Sequence, residues 1–299
     1  MSLAAYKKAS TEKLEKALAA TQNKFKADER YWQPTVDKAG NGFAIIRFLD
    51  RSPVDGEDGT AFVQFHTHNF QGPGGWYIEN SLTSIDQQDP VSEYNTKLWN
   101  TGIESNKQIA RNQKRKLTYV SNIIVIKDAS KPENEGKVFL YKYGKKIFDK
   151  IYSMQHPRDD EMDHEGNAKQ PVNVFDLWEG SNFSLKATKV GEFRNYDESS
   201  FSPNKTPIAK NDAGIEAILN QTFSLKAEMK FKTYDELKKK LDRVLSFNSN
   251  APTAEKTEVK TEVAATVKAA VEAATTTVAG DAEDDDIKFF QNMARPDEE

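Results

Sequence analysis

Apolar positions along the chain follow two periods. Alternation by two marks 43–49, 60–70, 117–127, 137–143 and 182–190, separated by Gly, Pro, Asn and Asp, and predicts strands there. In the fourth of these, Phe139, Tyr141 and Tyr143 alternate with Val138, Leu140 and Lys142, so one face is aromatic. Helical spacing marks 145–154, where Ile147, Ile151 and Met154 share a side. It recurs after Thr233-Tyr234-Asp235-Glu236, which has the form of a capping box, with Leu237, Leu241, Val244 and Leu245 inward. Ser10 or Thr11 can cap a shorter helix over 10–20, with Leu14 and Leu18 on one face. Short strands with helices at their periphery predict an α+β chain built on a small antiparallel β-barrel with attachments.

Composition narrows the chemistry. The 299 residues contain no cysteine, which excludes disulfides, thiolate metal ligands and thiol nucleophiles. No apolar run approaches the roughly 20 residues of a membrane helix. The first eight residues lack the apolar core of a secretory signal, so a soluble cytoplasmic protein with no membrane partner is expected. A hydrophobic share of 37% suggests that part of the chain does not pack.

The net charge of −4 averages over opposed regions. Residues 1–26 carry Lys7, Lys8, Lys13, Lys16, Lys24 and Lys26 against Glu12 and Glu15, a basic arm too short to fold alone. A core is expected over 27–250. Residues 251–280 are rich in Ala, Thr, Val, Glu and Lys and bury too little to offset ordering entropy, which predicts a flexible linker. Residues 281–299 form an acidic tail, with Asp281, Glu283, Asp284, Asp285 and Asp286 ahead of Ile287, Phe289 and Phe290, a form suited to binding partner proteins.

Within the core, 105–127 holds Lys107, Arg111, Lys114, Arg115, Lys116 and Lys127 and no acid. Residues 137–150 add five lysines against Asp149. Trp99, Tyr119, Phe139, Tyr141, Tyr143 and Phe148 interleave with them. Single-stranded nucleic acid needs this mixture, because cations replace counterions on phosphate while rings stack on unpaired bases. The competing interpretation is a solvated basic face beside ordinary core aromatics. A smaller repetition, Lys7-Lys8-Ala9-Ser10-Thr11 and Lys114-Arg115-Lys116-Leu117-Thr118, places cations just before a hydroxyl residue twice.

The run from Lys114 to Tyr119, then Asn122-Ile123-Ile124-Val125-Ile126-Lys127-Asp128, then Pro132-Glu133-Asn134-Glu135-Gly136-Lys137-Val138-Phe139, resembles the single-stranded DNA-binding proteins of T-even bacteriophages. The likeness extends through Gly144-Lys145-Lys146-Ile147-Phe148-Asp149-Lys150-Ile151, Trp178-Glu179-Gly180 and Asn195-Tyr196-Asp197-Glu198-Ser199. Upstream it includes Ala39-Gly40-Asn41-Gly42, Ile46-Arg47-Phe48-Leu49 and Gly75-Trp76-Tyr77-Ile78-Glu79. The resemblance implies an OB-fold core with an attached subdomain, an arm that docks on the neighbouring protomer, and a tail that recruits replication, recombination and repair proteins. It implies DNA contacts at Arg47, Lys114, Arg115, Lys116, Tyr119, Tyr141, Phe193 and Tyr196. Trp99 stands where the family has a tyrosine, and its larger ring would still stack. Lys7, Lys8, Ser10 and Thr11 match the cooperativity element, with Ala9 in place of a cation.

The family also has a zinc subdomain held by one His and three Cys. Here His68 matches the His, while Ser81, Asp89 and Ser92 occupy the Cys positions. Serine does not replace a thiolate at neutral pH, so no metal or other cofactor is expected. The loop would be held by Leu82, Ile85 and Val91 packing inward. His66 and His68 share a strand face, where a satisfied or solvent-facing pair is favoured over a shared metal.

One catalytic alternative rests on His156, Asp159, Asp160, Glu161, Asp163, His164 and Glu165, which could hold a divalent ion for phosphodiester cleavage. A contiguous stretch rich in turn formers fits a solvated acidic loop better. No Walker-type loop occurs, and Gly72-Pro73-Gly74-Gly75 reads as a turn. The expected function is therefore cooperative, largely sequence-independent coating of single-stranded DNA by a non-enzymatic phage protein in the cytoplasm of an infected bacterium. A divalent-metal nuclease is the alternative, and an RNA-binding regulator is a third, weaker one.

Overall fold

The computed structural model describes residues 28–162, 166–191 and 193–246. The arm (Lys7, Lys8, Ser10, Thr11), the linker and the tail (Asp281, Glu283, Asp284, Asp285, Asp286) lie outside the described residues, as do Asp163, His164 and Glu165.

Nine strands and five helices follow in order. They are β1 (Tyr31–Trp32), β2 (Gly42–Phe48), β3 (Phe62–Gly72), β4 (Gly75–Asn80), α1 (Pro90–Asn100), α2 (Glu104–Asn112), β5 (Lys116–Lys127), β6 (Val138–Tyr143), α3 (Lys145–Gln155), β7 (Ser181–Val190), β8 (Phe193–Asn195), β9 (Ser200–Lys205), α4 (Asp212–Leu219) and α5 (Tyr234–Val244). The architecture is α+β. The strands form one sheet in the order β1-β6-β5-β2-β7-β8, with β3 on β5, β4 on β3 and β9 on β7. All neighbours are antiparallel except β1 on β6.

The expected barrel is not a closed ring. Among the described residues no ladder joins β1 to β8. The reason is the length of β5. Its first half pairs with β3 and its second half with β2, while β6 lies along its middle. This change of partner divides the sheet into two lobes.

All five alternating segments are strands, and both helical segments are helices. Thr233 and Glu236 form the reciprocal capping box of α5. The pattern did not predict β1, β4, β8, β9, α1, α2 or α4. α2, with the sequence ESNKQIARN, carries too few apolar residues to show a period, and packing against α1 supplies what its sequence lacks. Asp89 caps α1 and Pro90 opens it, a start signal legible in the sequence.

The first lobe is built on Ile46, Phe48, Ile123, Val125, Tyr141, Tyr143, Phe183 and Leu185, covered by Ile147 and Ile151 of α3. The second joins the β3–β4 hairpin to α1 and α5 through Phe70, Tyr77, Leu82, Val91, Leu237, Leu241 and Val244. Leu82 and Val91 pack inward as expected. Ile85 does not; it is 38% exposed at the end of a 3-10 turn. The hairpin tip rests on the end of α5, where Gly74 N–H donates to the Val244 carbonyl at 2.8 Å. A side chain at Gly74 would meet the Arg243 carbonyl at 2.0 Å, so only glycine permits this approach.

Candidate nucleic-acid interface

The alternating strands decide where the aromatic residues go. Register sets Tyr119 opposite Tyr143 and Ser121 opposite Tyr141. Tyr141 stacks on Tyr143 with centroids 5.6 Å apart, Tyr143 on Tyr119 at 5.6 Å, and Tyr119 on Phe148 of α3 at 4.1 Å. This ladder is buried. Its hydroxyls are held in the neutral form, because burial pushes the Tyr119, Tyr141 and Tyr143 groups up from the usual phenol range. The Tyr143 and Ser121 hydroxyls share a hydrogen bond of 2.9 Å.

Beside the ladder lies an open groove of about 630 Å³. One wall is formed by β3 and β4, with Thr67, Asn69, Ile78, Glu79 and Asn80. The opposite wall holds Lys116, Thr118, Lys142 and the edges of Tyr141 and Tyr143. Tyr196 and the triplet Lys230-Phe231-Lys232 complete it. Four lysines therefore line the groove against one carboxylate, Glu79. Glu79 accepts from Lys232 at 2.6 Å and from Lys240 at 2.5 Å. Burial lowers the Lys116 ammonium, and the neighbouring Lys114 charge lowers it further. Burial also lowers Lys142, with Glu228 and Asp28 opposing. Its Nζ sits 4.2 Å from the centre of the Tyr31 ring.

The expected contact residues divide. Lys116 and Tyr196 line the groove, and Tyr141, only 2% exposed, reaches it from within the buried ladder. Lys114 and Arg115 are half-buried on the approach to β5. Trp99 projects from α1 beneath two cations of α2, with Lys107 Nζ 5.6 Å and Arg111 Cζ 5.3 Å from its ring centre, and is not among the groove-lining residues. Phe193 is placed by its backbone pairing with Val190; its side chain lies outside the described residues.

Two expectations need correction. Arg47 is fully buried and is not available to a phosphate. Its guanidinium donates to the Asp176 carbonyl at 2.7 Å and the Thr206 carbonyl at 3.0 Å, tying β2 to two loops. Burial lowers it to about 10, with Asp176 opposing. Gly180 makes room for it, since a Cβ there would lie 2.5 Å from the guanidinium, which gives the Trp178-Glu179-Gly180 segment a packing role. Tyr119 has one face on Tyr143 and the other on Phe148, so no face remains for a base. Conversely, Lys230, Phe231 and Lys232 were missed, although a cation–aromatic–cation triplet was there to be seen.

The acidic loop is partly committed to its own cations. Glu161 pairs with Lys169 at 2.6 Å, and Asp160 lies 3.6 Å from Arg158. Among the described residues no three His, Asp or Glu side chains converge as a metal site.

A family model described as gp32 DNA binding protein like matches residues 40–245. The chain belongs to this gp32-like family. Among its relatives, the single-stranded DNA-binding protein of Enterobacteria phage T2 is 38% identical over 252 residues, covering 80% of this chain and 79% of the relative. That of Enterobacteria phage T4 is 40% identical over 227 residues, covering 73% and 71%. A single-stranded DNA-binding protein of Escherichia phage SV14 is 36% identical over 89 residues, covering 28% of this chain and 76% of the relative. Every groove-lining residue falls inside the gp32-like match.

The zinc expected from the family's pattern does not fit the residues present. His68 is buried, with Nδ1 2.9 Å from the Gln113 carbonyl and Nε2 3.2 Å from Asp89 Oδ1. Both Asp89 oxygens already accept backbone N–H groups, from Val91 and Ser92 at one and Leu82 at the other. The Ser81 hydroxyl bonds to Thr83 at 3.0 Å. Burial pushes the Asp89 carboxyl up, but His68 and these amides outweigh it and bring it to about 2. One imidazole, one spent carboxylate and serine hydroxyls are not a structural zinc donor set.

Proposed function

We propose that this chain is a non-enzymatic single-stranded DNA-binding protein of a phage. It coats unwound DNA during replication, recombination and repair in the infected cell. The observation that carries this is the groove, where Lys116, Lys142, Lys230 and Lys232 ring Tyr196, Phe231 and the edge of Tyr141. The cations track phosphates while the rings meet bases with little sequence preference. Duplex is disfavoured because its bases are already stacked. The antiparallel set β2, β3, β5, β6 and β7, sharing the long strand β5, supports an OB-type core opened by the change of partner. Among the described residues no helix is long and apolar enough to cross a membrane.

The basic arm docks on the next protomer and makes binding cooperative. The acidic tail recruits other replication proteins and competes with DNA for the groove. The hairpin lobe works without zinc, with His68 and Asp89 tying β3 to α1. A titration of single strand against duplex over a range of salt, with full-length protein and protein lacking residues 281–299, tests the function. Tight, salt-sensitive single-strand binding, strengthened at low salt by removing the tail, is expected. Equal affinity for duplex and single strand would overturn the reading. Cleavage of the strand with Mg²⁺ or Mn²⁺ would establish the nuclease instead. Stoichiometric zinc in protein purified without added metal would overturn the metal-free lobe.

A further inference from the structure

The outward face of the β3–β4 hairpin continues past the groove. Thr67, Asn69 and Gln71 lie opposite Asn80, Ile78 and Trp76. The first two pairs line the groove, and the third lies one step beyond it. Ile78 is 57% and Trp76 52% exposed. The alternate residue between them, Tyr77, is fully buried and stacks on Phe70 at 5.1 Å. The hairpin's inner face is thus committed to the second lobe, and its tip is clamped to α5 by Gly74. The exposed Ile78 and Trp76 side chains ride on a strand whose other face is packed.

The neighbouring cations gather on the hairpin's other face, at Glu79, where Lys240 Nζ lies 5.4 Å from the centre of the Tyr77 ring. Lys232 and Lys240 meet at Glu79, Lys240 also donates to the Ile78 carbonyl at 3.2 Å, and the Arg243 backbone lies against Gly74 at the tip. Two lysines on one carboxylate leave that face net positive. Side chains on one strand face repeat every ~6.8 Å, a spacing within reach of successive splayed bases.

We propose that Ile78 and Trp76 form a stacking ridge that carries single-stranded DNA out of the groove along the hairpin, with Trp76 the outer platform for a base. This rests on the groove being the DNA site. The phosphates leave the groove past Lys230 and Lys232, which line it beside Ile78 and Asn80. Continuity with the lysine-lined groove and the apolar steps Ile78 and Trp76 favour a single strand over a protein partner on this face.

The test uses full-length protein and its Trp76→Ala, Trp76→Phe and Trp178→Phe variants. Trp178 is an exposed tryptophan elsewhere, bonded to Asp212, and serves as the control. Affinity is measured for oligothymidylates lengthened from about 4 to about 16 nucleotides, the range of OB-fold sites. Trp76→Ala is expected to bind the short oligomers normally and to lose about tenfold on the longer ones. Trp76→Phe should regain most of that loss, which a merely structural residue would not show, and Trp178→Phe should match the parent. Parent-like affinity of Trp76→Ala at every length would overturn the ridge. So would a defect confined to long polymers, where protomers touch, since that marks a protein–protein contact. Failure of the parent protein to bind even short oligomers would instead sink the groove reading.

Discussion

The two lobes use the same kinds of residue for opposite ends. In the sheet lobe, Tyr119, Tyr141, Tyr143 and Phe148 stack on one another, and the buried Arg47 spends its donors on the Asp176 and Thr206 carbonyls. In the hairpin lobe, Phe70 and Tyr77 fill the interior, and a buried His68–Asp89 pair stands where the family pattern places metal ligands. That leaves Ile78 and Trp76 of β4 facing outward beside the groove lysines Lys230 and Lys232. An aromatic ring or a cation therefore supports the fold where its neighbours cover it and is free for a ligand where they do not. Sheet-lobe substitutions should register as lost stability, and those on the groove rim as lost affinity.

The largest effect is expected from Tyr119→Ala, which removes the centre of the ladder. It should lower stability in urea by about 3–5 kcal/mol. Affinity of the folded fraction should fall far less, and a pure affinity defect would return Tyr119 to the DNA surface. Arg47→Ala empties a fully buried site and removes the link from β2 to the Asp176 and Thr206 carbonyls, and should lower stability by on the order of 3 kcal/mol. Its salt dependence of DNA binding should be unchanged.

Asp89→Asn keeps the helix cap and removes the charge opposite His68. The carboxyl is held at about 2 in the folded chain, below its ordinary value of 3.8. Its contribution is therefore complete above about pH 4 and lost as pH falls through about 2. The variant should be about 2 kcal/mol less stable at neutral pH and show a flatter acid transition. A substitution without effect on either would remove the pair from the lobe's stability. EDTA should leave the parent's melting temperature where it is.

On the rim, Tyr196→Ala should weaken single-strand binding by about 1–3 kcal/mol with little change in unfolding. The smallest effect belongs to Lys230→Ala, a few-fold loss of affinity with a salt slope shallower by about one unit. An unaltered slope would place this lysine away from phosphate.

Much of this was legible without coordinates. The five alternating segments, the capping box of α5, the glycine turn at 72–75 and the acid-free basic run all follow from local pattern, because strand and helix periods are written residue by residue. The basic and aromatic composition of the groove was legible too, through Lys116, Tyr141 and Tyr196. Arg47 and Tyr119 were misjudged for one reason. A motif records that a side chain matters, and a charged or aromatic group matters equally when it closes a core. Lys230 and Lys232 were missed because they lie over a hundred residues from the basic run and reach the groove only when α5 docks on the hairpin. Trp76 sat in a segment already singled out, Gly75-Trp76-Tyr77-Ile78-Glu79, with nothing to say which of its residues face out.

The sequence by itself determined the types of the five alternating and two helical segments, the uneven spread of charge along the chain, and the absence of any thiolate. Those are properties of composition and short-range spacing. Tertiary structure alone decided which cations and rings are left for a ligand. Exposure depends on contacts between segments far apart in the chain: β5 dividing its edge between β2 and β3, Gly180 admitting the Arg47 guanidinium, and α5 covering one face of the hairpin while leaving the other open.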